Sequence, residues 1–187
     1  MTSTFAFATG LVASVLVIWL LGRYAAFRAQ RPEDYAESGP SFDIRNRLNG
    51  DMVCEGVIYG PTGRVSSRFF ADMTVTWTGN VGVMKEKFQY DSGAIQDREW
   101  RLTVANDGSI QAAAPDVIGV GAGRESGPTV LLNYRIKLPE SSGGHVLDTT
   151  DWMYVTPNGS IINRSQFRKF GIKVAELVAT LRAKEAA

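Results

Sequence analysis

The stretch FFADMTVTW, residues 69 to 77, alternates apolar with mainly polar side chains. The apolar positions that share one face of an extended chain are Phe69, Ala71, Met73, Val75 and Trp77. Because successive side chains of a β-strand point to opposite faces, the stretch predicts a strand with one buried face. Strands of this kind are typical of antiparallel sheets, which pack one face on a core and expose the other.

The same period of two recurs along the chain from residue 50 onward. It is clear in Trp100–Val104 and Val130–Leu138, and turn residues such as Asp107-Gly108 and Asn158-Gly159 separate the candidate strands. These dipeptides favour tight hairpins, because type I′ turns require positive φ at both central residues. Eight consecutive antiparallel strands are predicted, near residues 50–59, 65–78, 81–91, 97–106, 109–114, 128–138, 145–156 and 160–167.

The last segment shows a different period. In the stretch 171–187, Val174, Leu177, Val178 and Leu181 recur at spacings of three and four, which predicts an amphipathic C-terminal helix. About eight antiparallel strands and this helix predict a mainly β domain, an up-and-down lipocalin-like barrel whose closure removes exposed strand edges. A two-sheet sandwich is the alternative fold.

The amino-terminal segment is a candidate membrane anchor. Phe5–Leu21 contains no charged residue, and a helix over Thr4–Gly22 would be about 28 Å long, close to the thickness of the hydrocarbon core. Trp19 and Tyr24 lie at the end of the run, where amphipathic rings favour the membrane interface. A cleaved signal peptide fits less well, because no charged residue precedes the apolar run.

These features divide the chain into three parts. The predicted parts are an anchor over residues 1–24 that contacts the membrane through residues 4–22, a polar linker over 25–43, and a barrel domain over 44–187. Arg23, Arg28 and Arg31 follow the apolar run and no basic residue precedes it. The positive-inside rule therefore favours a cytoplasmic barrel domain.

Composition excludes several classes of function. The 20 basic and 19 acidic residues leave a net charge of +1, so no nucleic-acid partner is predicted. Cys54 and His145, each the only residue of its type, cannot form a disulfide or a tetrahedral zinc site, and no metal is predicted. Gly119–Gly123 resembles part of a nucleotide-binding fingerprint, but the helix that must follow such a fingerprint is absent from the predicted elements. The segment is therefore interpreted as a flexible or tightly turned connection. No cofactor is predicted.

Polar and aromatic residues on the predicted strands are the remaining candidates for a site. Those expected to face inward or half-inward are Glu86, Trp100, Tyr134, Asp151, Trp152, Tyr154 and Arg164. A few polar groups among aromatic rings inside a barrel form a site for an amphipathic or apolar ligand. The alternative interpretation is a buried hydrogen-bond network that only stabilises the barrel. No catalytic residue is assigned.

Several motifs taken together resemble a bacterial family known as domain of unknown function 3833. The motifs are GVIYGPTGRVSSRF at residues 56–69, DVIGVGAGRESG at 116–127, TDWMY at 150–154, NRS at 163–165 and KFGIKVAE at 169–176. The matching positions are Asp116, Gly119, Asp151, Trp152, Asn163, Arg164, Lys169, Phe170, Gly171 and Glu176.

The resemblance implies a lipocalin-like barrel and no established activity. It also implies a bacterial envelope protein, because many members are described as lipoproteins and their genes often lie near those for lipid modification of the cyclopropane-fatty-acid synthase type. This chain has an uncharged span where those relatives carry a lipid-bearing cysteine, which predicts a single-pass protein of the inner membrane. Lipoprotein relatives favour a periplasmic barrel, whereas the arginines after the span favour the cytoplasm.

Three functions follow as hypotheses. The first is a membrane-anchored barrel that binds a lipid or fatty-acyl-like ligand, as an accessory to lipid modification or envelope maintenance. The second is a noncatalytic scaffold that binds a protein partner through its surface or its C-terminal helix. The third is a small enzyme, but no two acid or base groups are fixed at working distance by the sequence, as general acid–base catalysis requires.

Overall fold

The computed structural model describes residues 2 to 184. An amino-terminal helix, α1 (Thr2–Tyr24), and a short helix, α2 (Ile44–Arg47), precede the strands. The strands are β1 (Gly50–Tyr59), β2 (Val65–Thr78), β3 (Val81–Tyr90), β4 (Ile95–Val104), β5 (Ser109–Ala113), β6 (Gly121–Ser126), β7 (Thr129–Lys137), β8 (Val146–Val155), β9 (Ile161–Lys169) and β10 (Ile172–Ala183).

The ten strands form one closed antiparallel barrel. Each strand pairs with its neighbours in sequence, and β1 pairs with β10 to close the sheet, with Cys54 opposite Leu181. The prediction of a mainly β, antiparallel, up-and-down barrel is therefore confirmed. The predicted number of eight strands is wrong, because two segments that carry weak or misleading local patterns are also strands.

The predicted C-terminal helix is the first of these segments. Residues 172–183 are β10, in which Leu177, Ala179 and Leu181 face the barrel core. The spacing of three and four that predicted a helix mixes inward and outward positions of this strand. Without β10, β1 and β9 would each expose an unpaired edge, so barrel closure outweighs the helical periodicity.

The glycine-rich connection is the second. Residues 121–126 are β6, paired with β5 on one side and β7 on the other. A Cβ atom at Gly123 would lie 2.1 Å from the Leu131 carbonyl oxygen, and one at Gly121 would lie 2.9 Å from Cβ of Tyr134. The glycines therefore let β7 and its side chains lie close against β6, and they hide the strand from sequence patterns.

One end of the barrel is closed. The chain enters β1 there through α2, whose Ile44 is fully buried together with Phe42 and Leu48. The Trp77 indole donates a hydrogen bond of 2.7 Å to the Leu48 carbonyl, and the Ile44 amide donates to a carboxylate oxygen of Glu125 at 2.5 Å. Side chains of this segment therefore close this end of the barrel. Two hydrogen bonds attach the segment to β2 and β6.

The opposite end is less filled. The turns β1–β2, β3–β4, β7–β8 and β9–β10 lie there with the longer connection 114–120. Inward-facing apolar residues near this end, including Ile58, Phe88 and Leu177, are only partly buried and pack against the core from its margin. This end, which α2 does not cover, is called the open end below.

The segment that joins α1 to the barrel lies along the outer wall. The Phe42 amide donates to the Gly127 carbonyl at 2.7 Å, and Ser126 Oγ donates to the Pro32 carbonyl at 2.5 Å. Tyr35 packs edge-on against Trp152, with ring centroids 5.5 Å apart. Within α1, Ala6–Tyr24 is long and apolar enough to cross a membrane, a test that a signal sequence near the chain start also passes.

Candidate functional site

Four of the predicted site residues meet inside the barrel. Glu86 on β3, Trp100 on β4, Tyr134 on β7 and Asp151 on β8 all occupy inward positions of their strands. The rings of Trp100 and Tyr134 contact edge to face with centroids 5.2 Å apart. Together these residues form a polar layer between the packed closed end and the open end.

Arg98 is the central member of this layer and was not predicted from the sequence. Its guanidinium lies over the Trp100 ring, 4.3 Å from the ring centroid, in a cation–π arrangement. It also forms an ion pair with Asp116, with Nε 3.0 Å from Oδ2. The strand alternation contained the necessary signal, because Arg98 is two residues before Trp100 and must share its face.

The Arg98–Asp116 ion pair spans an interruption in the barrel wall. β3 and β4 pair along their length from Gln89 opposite Ile95 to Val81 opposite Thr103, whereas β4 and β5 pair only between residues 101 and 104 of β4. The connection after β5 instead follows β7, since the Lys137 amide donates to the Asp116 carbonyl at 2.8 Å. Residues 95–100 of β4 therefore border a gap that the ion pair bridges.

A surface groove of about 650 Å³ accompanies this part of the wall. It is lined by charged residues of β2, β3 and β4 together with Gln96, Arg98, Pro115 and Asp116. The groove and the gap give the polar layer a second approach besides the open end of the barrel.

Burial shifts the carboxyl groups of Glu86 and Asp151 towards their neutral forms. Burial raises the pKa of Glu86 to about 7; the charge of Arg98 opposes this shift, while Asp151 and Asp116 reinforce it. Burial also raises the pKa of Asp151, although hydrogen bonds from Asn163 and Ser165 lower it. The layer therefore holds groups that can donate as well as accept hydrogen bonds near neutral pH.

Asp151 is oriented by residues of β9. Ser165 Oγ donates to Oδ1 of Asp151 at 2.8 Å, and the side-chain amide of Asn163 donates to the same oxygen. Burial and the nearby charges of Glu86 and Asp151 raise the pKa of the Cys54 thiol to about 12, so this thiol stays protonated and unreactive at neutral pH.

Three polar atoms in this region make no hydrogen bond to any described residue. They are Oε2 of Glu86, Nη2 of Arg98 and Oγ1 of Thr149, and all three are fully buried. Thr149 lies directly opposite Tyr134 in the sheet and two residues before Asp151, so it faces the same interior. Buried donors and acceptors of this kind are costly unless a partner satisfies them.

Two inward-facing residues beside these atoms are not completely buried. Tyr134 and Asp151 face inward and are deeply enclosed, yet each keeps part of its surface accessible. Gly121 lets Tyr134 take this position, because a Cβ atom at residue 121 would lie 2.9 Å from Cβ of Tyr134.

Trp152, Tyr154 and Arg164 lie on the outer face, which corrects the expectation that they face inward or half-inward. Trp152 is adjacent to Asp151, and the two cannot both point inward because a strand alternates its faces. Trp152 is buried under Tyr35 and stacks on Tyr154, with ring centroids 6.0 Å apart. Tyr154 donates its hydroxyl to Oε1 of Gln30 at 2.6 Å, so this aromatic group holds the joining segment.

Arg164 completes a second outer-face cluster. Its Nη2 lies 2.6 Å from Oε1 of Glu176, and its guanidinium lies 4.8 Å from the Phe27 ring centroid. Lys173 Nζ lies 2.6 Å from the other oxygen of Glu176. Hydrogen bonds and charges from these two cations lower the pKa of Glu176 against the opposing effect of burial, so it is ionised at neutral pH.

The other positions that matched the family motifs serve different parts of the barrel. Gly119 adopts φ +73° in the connection before β6. Phe170 and Gly171, between β9 and β10, adopt φ +53° and +78°. Lys169 Nζ lies 2.9 Å from Nδ1 of His145 at the open end.

Two solved structures share this fold. The S-type phycobiliprotein lyase CPES from Guillardia theta superimposes with a TM-score of 0.56 at 8% identity, over 76% of this chain and 91% of that one. Rv2717c from M. tuberculosis superimposes with a TM-score of 0.54 at 15% identity, over 74% of this chain and 94% of that one. At these identities the likeness shows a lipocalin-like barrel fold and nothing more.

Sequence comparison supplies one further finding. The family described as a protein of unknown function, DUF3833, matches residues 21–183, which includes every strand of the barrel. No curated protein sequence matches the chain.

Proposed function

The chain belongs to the DUF3833 family, and we propose that its barrel binds a lipid or fatty-acyl-like molecule while α1 anchors the protein as a single pass in the bacterial inner membrane. The role is noncatalytic and accessory to lipid modification or envelope maintenance. Arg98 and Thr149 join the predicted residues Glu86, Trp100, Tyr134 and Asp151 as the ligand-binding set.

The buried polar atoms without partners are the observation that carries this proposal. Oε2 of Glu86, Nη2 of Arg98 and Oγ1 of Thr149 supply an acceptor, a donor and a hydroxyl in one part of the interior. Tyr134 and Asp151 face the same level of the interior and are partly accessible. A ligand whose polar end enters this layer satisfies groups that otherwise destabilise the barrel.

The walls above the layer fit an apolar chain. Ile58, Phe88 and Leu177 face the interior between the polar layer and the open end, and each is only partly buried. Below the layer, Leu102 and Val130 are fully buried against the closed end, so the space does not continue past it. An amphipathic ligand therefore enters with its polar end first and leaves its apolar chain towards the open end.

The charges of the layer favour an uncharged polar end. Arg98 is the one cation of the layer and already pairs with Asp116, while Glu86 and Asp151 add two further carboxyl groups. Above pH 7, where Glu86 is mainly ionised, a free fatty-acid carboxylate would meet an uncompensated negative charge in a poorly solvated interior. An ester, amide or hydroxyl end gains hydrogen bonds without this repulsion.

The test is native mass spectrometry of the full chain, purified from bacterial membranes in mild detergent and titrated with a monoacylglycerol or the matching fatty acid. We expect one bound monoacylglycerol per chain and weaker retention of the fatty acid above pH 7. A chain that carries no lipid and takes up neither compound would refute the proposal.

Thr149→Val tests the site itself, with Thr150→Val as the matched control. Thr149 is buried and faces inward without a partner, whereas Thr150 lies on the outer face and donates to Asn133 at 3.1 Å. We expect Thr149→Val to lose several-fold in monoacylglycerol retention without loss of stability, and Thr150→Val to retain the ligand. Equal retention by both variants would show that the polar layer does not bind the ligand.

The alternative of a protein scaffold has less support than it had from the sequence. That hypothesis placed the partner on the surface or on an apolar stripe of a C-terminal helix, and residues 172–183 are instead the strand that closes the barrel. Removing them would open the sheet rather than expose or delete a docking helix.

A further inference from the structure

Exposed apolar side chains are distributed unequally between the two ends of the barrel. Outside α1, the exposed large apolar residues among residues 2–184 are Val65, Phe70, Ile95, Ile118, Val120, Phe170 and Ile172. All of these except Phe70 lie in or beside the connections of the open end. Scattered apolar residues on a surface need no explanation, but their concentration at one end of a barrel does.

The β9–β10 hairpin carries the most exposed pair. Phe170 is 90% exposed and Ile172 is 70% exposed. Both central residues of the turn, Phe170 and Gly171, have positive φ, at +53° and +78°. A phenylalanine in this conformation is unfavourable for the backbone, and its ring gains here only the Lys169 ammonium 5.7 Å from its centroid, so folding alone does not account for it.

Basic side chains surround this apolar tip. Arg168, Lys169 and Lys173 flank Phe170 and Ile172, and no acidic residue lies between positions 168 and 173. Arg28 lies near Arg168 on the same outer surface. Burial, and then the charge of Arg28, lower the pKa of Arg168. Apolar side chains ringed by cations are the combination that binds the interface of an anionic bilayer.

The attachment of α1 places this tip next to the anchor. From Tyr24 the chain passes to Phe27, which contacts Arg164 on β9, and to Arg28 beside Arg168 on the same strand. It then runs along the wall to Phe42 at the closed end. The anchor therefore joins the barrel near the open end. Arg168 is one residue before the end of β9, where the β9–β10 turn begins.

We propose that the hairpin tip Lys169–Lys173 inserts Phe170 and Ile172 into the anionic bilayer that α1 crosses, so that the open end of the barrel faces the lipid. This inference rests on the anchored state in the proposed function and deepens it, because the ligand then passes between membrane and barrel without crossing water. Val65, Ile95, Ile118 and Val120 lie on the same rim and extend the contact.

The experiment places a fluorophore at each end of the full chain in lipid nanodiscs. Phe170→Cys carries an environment-sensitive nitrobenzoxadiazole label at the tip, and Asn80→Cys carries it in the exposed β2–β3 turn of the closed end. The native Cys54 does not interfere, because it is buried and burial raises its pKa to about 12. The nanodiscs contain phosphatidylcholine with or without phosphatidylglycerol.

We expect the label at residue 170 to shift to the blue, to brighten several-fold and to be quenched by spin-labelled acyl chains, most strongly with phosphatidylglycerol. The label at residue 80 should respond like a label in water. Equal, water-like signals at both positions in an assembled nanodisc would overturn the inference. A chain that fails to enter nanodiscs at all would instead refute the anchor, so the two failures are distinguishable.

Discussion

The two ends of the barrel use the same residue types for opposite purposes. At the closed end, Phe42 and Ile44 are completely buried and fix the chain where it enters β1. At the open end, Phe170 and Ile172 are 90% and 70% exposed on a hairpin tip. The comparison teaches that residue type alone does not separate a core from a contact surface. The burial of each residue depends on the end of the barrel at which it lies.

The largest expected effect separates the two phenylalanines. Phe42→Ala leaves a cavity in a packed plug and is expected to lower the free energy of unfolding by about 3–5 kcal/mol. Phe170→Ala removes a side chain that contacts mainly solvent and is expected to change it by less than about 0.5 kcal/mol. Urea denaturation of the full-length variants in mild detergent measures both values.

The pair Ile44→Ala and Ile172→Ala repeats this comparison with a different side chain. Ile44 is fully buried and Ile172 is 70% exposed. If the open-end variants lost as much stability as the closed-end variants, the open end would be a structural part of the core.

The next effect concerns the polar layer between the two ends. The pKa of Glu86 is raised from 4.5 to about 7, so the folded protein keeps a proton that the unfolded chain releases. The free energy of unfolding is therefore unaffected below pH 4.5 and falls as the pH rises towards 7, by about 3 kcal/mol. The raised pKa of Asp151 changes stability in the same direction.

Glu86→Gln is expected to remove most of this pH dependence. The variant should match the original protein at pH 4.5 and exceed it in stability at pH 8, as measured by denaturant unfolding at several pH values. A variant that is less stable at pH 8 would mean that the ionised carboxylate is stabilised by Arg98 more than burial disfavours it.

The smallest effect concerns the gap in the wall. Asp116→Asn removes the charge that pairs with Arg98, whose side chain is only 14% exposed, and is expected to cost about 1 kcal/mol of stability. Asp148→Asn breaks the exposed Arg135–Asp148 pair, with both side chains more than half exposed, and should cost almost nothing.

The same two variants also differ in access to the interior. Asp116→Asn should speed the release of bound monoacylglycerol, and Asp148→Asn should not, as measured by exchange against labelled ligand. Equal release rates would indicate that the ligand leaves only through the open end.

The sequence predicted strands wherever alternation was strong and missed them where another constraint prevailed. The apolar residues at every second position from Phe69 to Trp77 face inward on β2, as expected. β6 was missed because Gly121 and Gly123 are needed for close packing against β7, and a glycine carries no hydropathy pattern. β10 was missed because its apolar residues also recur at helical spacing, and one of its two pairing partners, β1, lies at the other end of the barrel sequence.

Strand alternation predicts which residues of the site face the interior, provided that only every second residue of a strand is assigned to the inner face. Asp151 and Trp152 were both expected to face inward, although neighbours in a strand cannot do so. Arg98 could have been placed beside Trp100 by the same rule. The joining segment is held on the outer wall by contacts such as Tyr35 with Trp152 and Gln30 with Tyr154. These residues are far apart in sequence, so no local sequence pattern predicts their contacts.

The pairing of β1 with β10 has a consequence for the order of events during synthesis. Cys54 pairs with Leu181, so the sheet cannot close until nearly the whole described chain has left the ribosome. The helix α1 emerges first and can enter the membrane long before this pairing forms. In the anchored state that we propose, the hairpin tip and the last strand of the barrel are then completed next to the bilayer, where an open sheet can enclose a lipid as it closes.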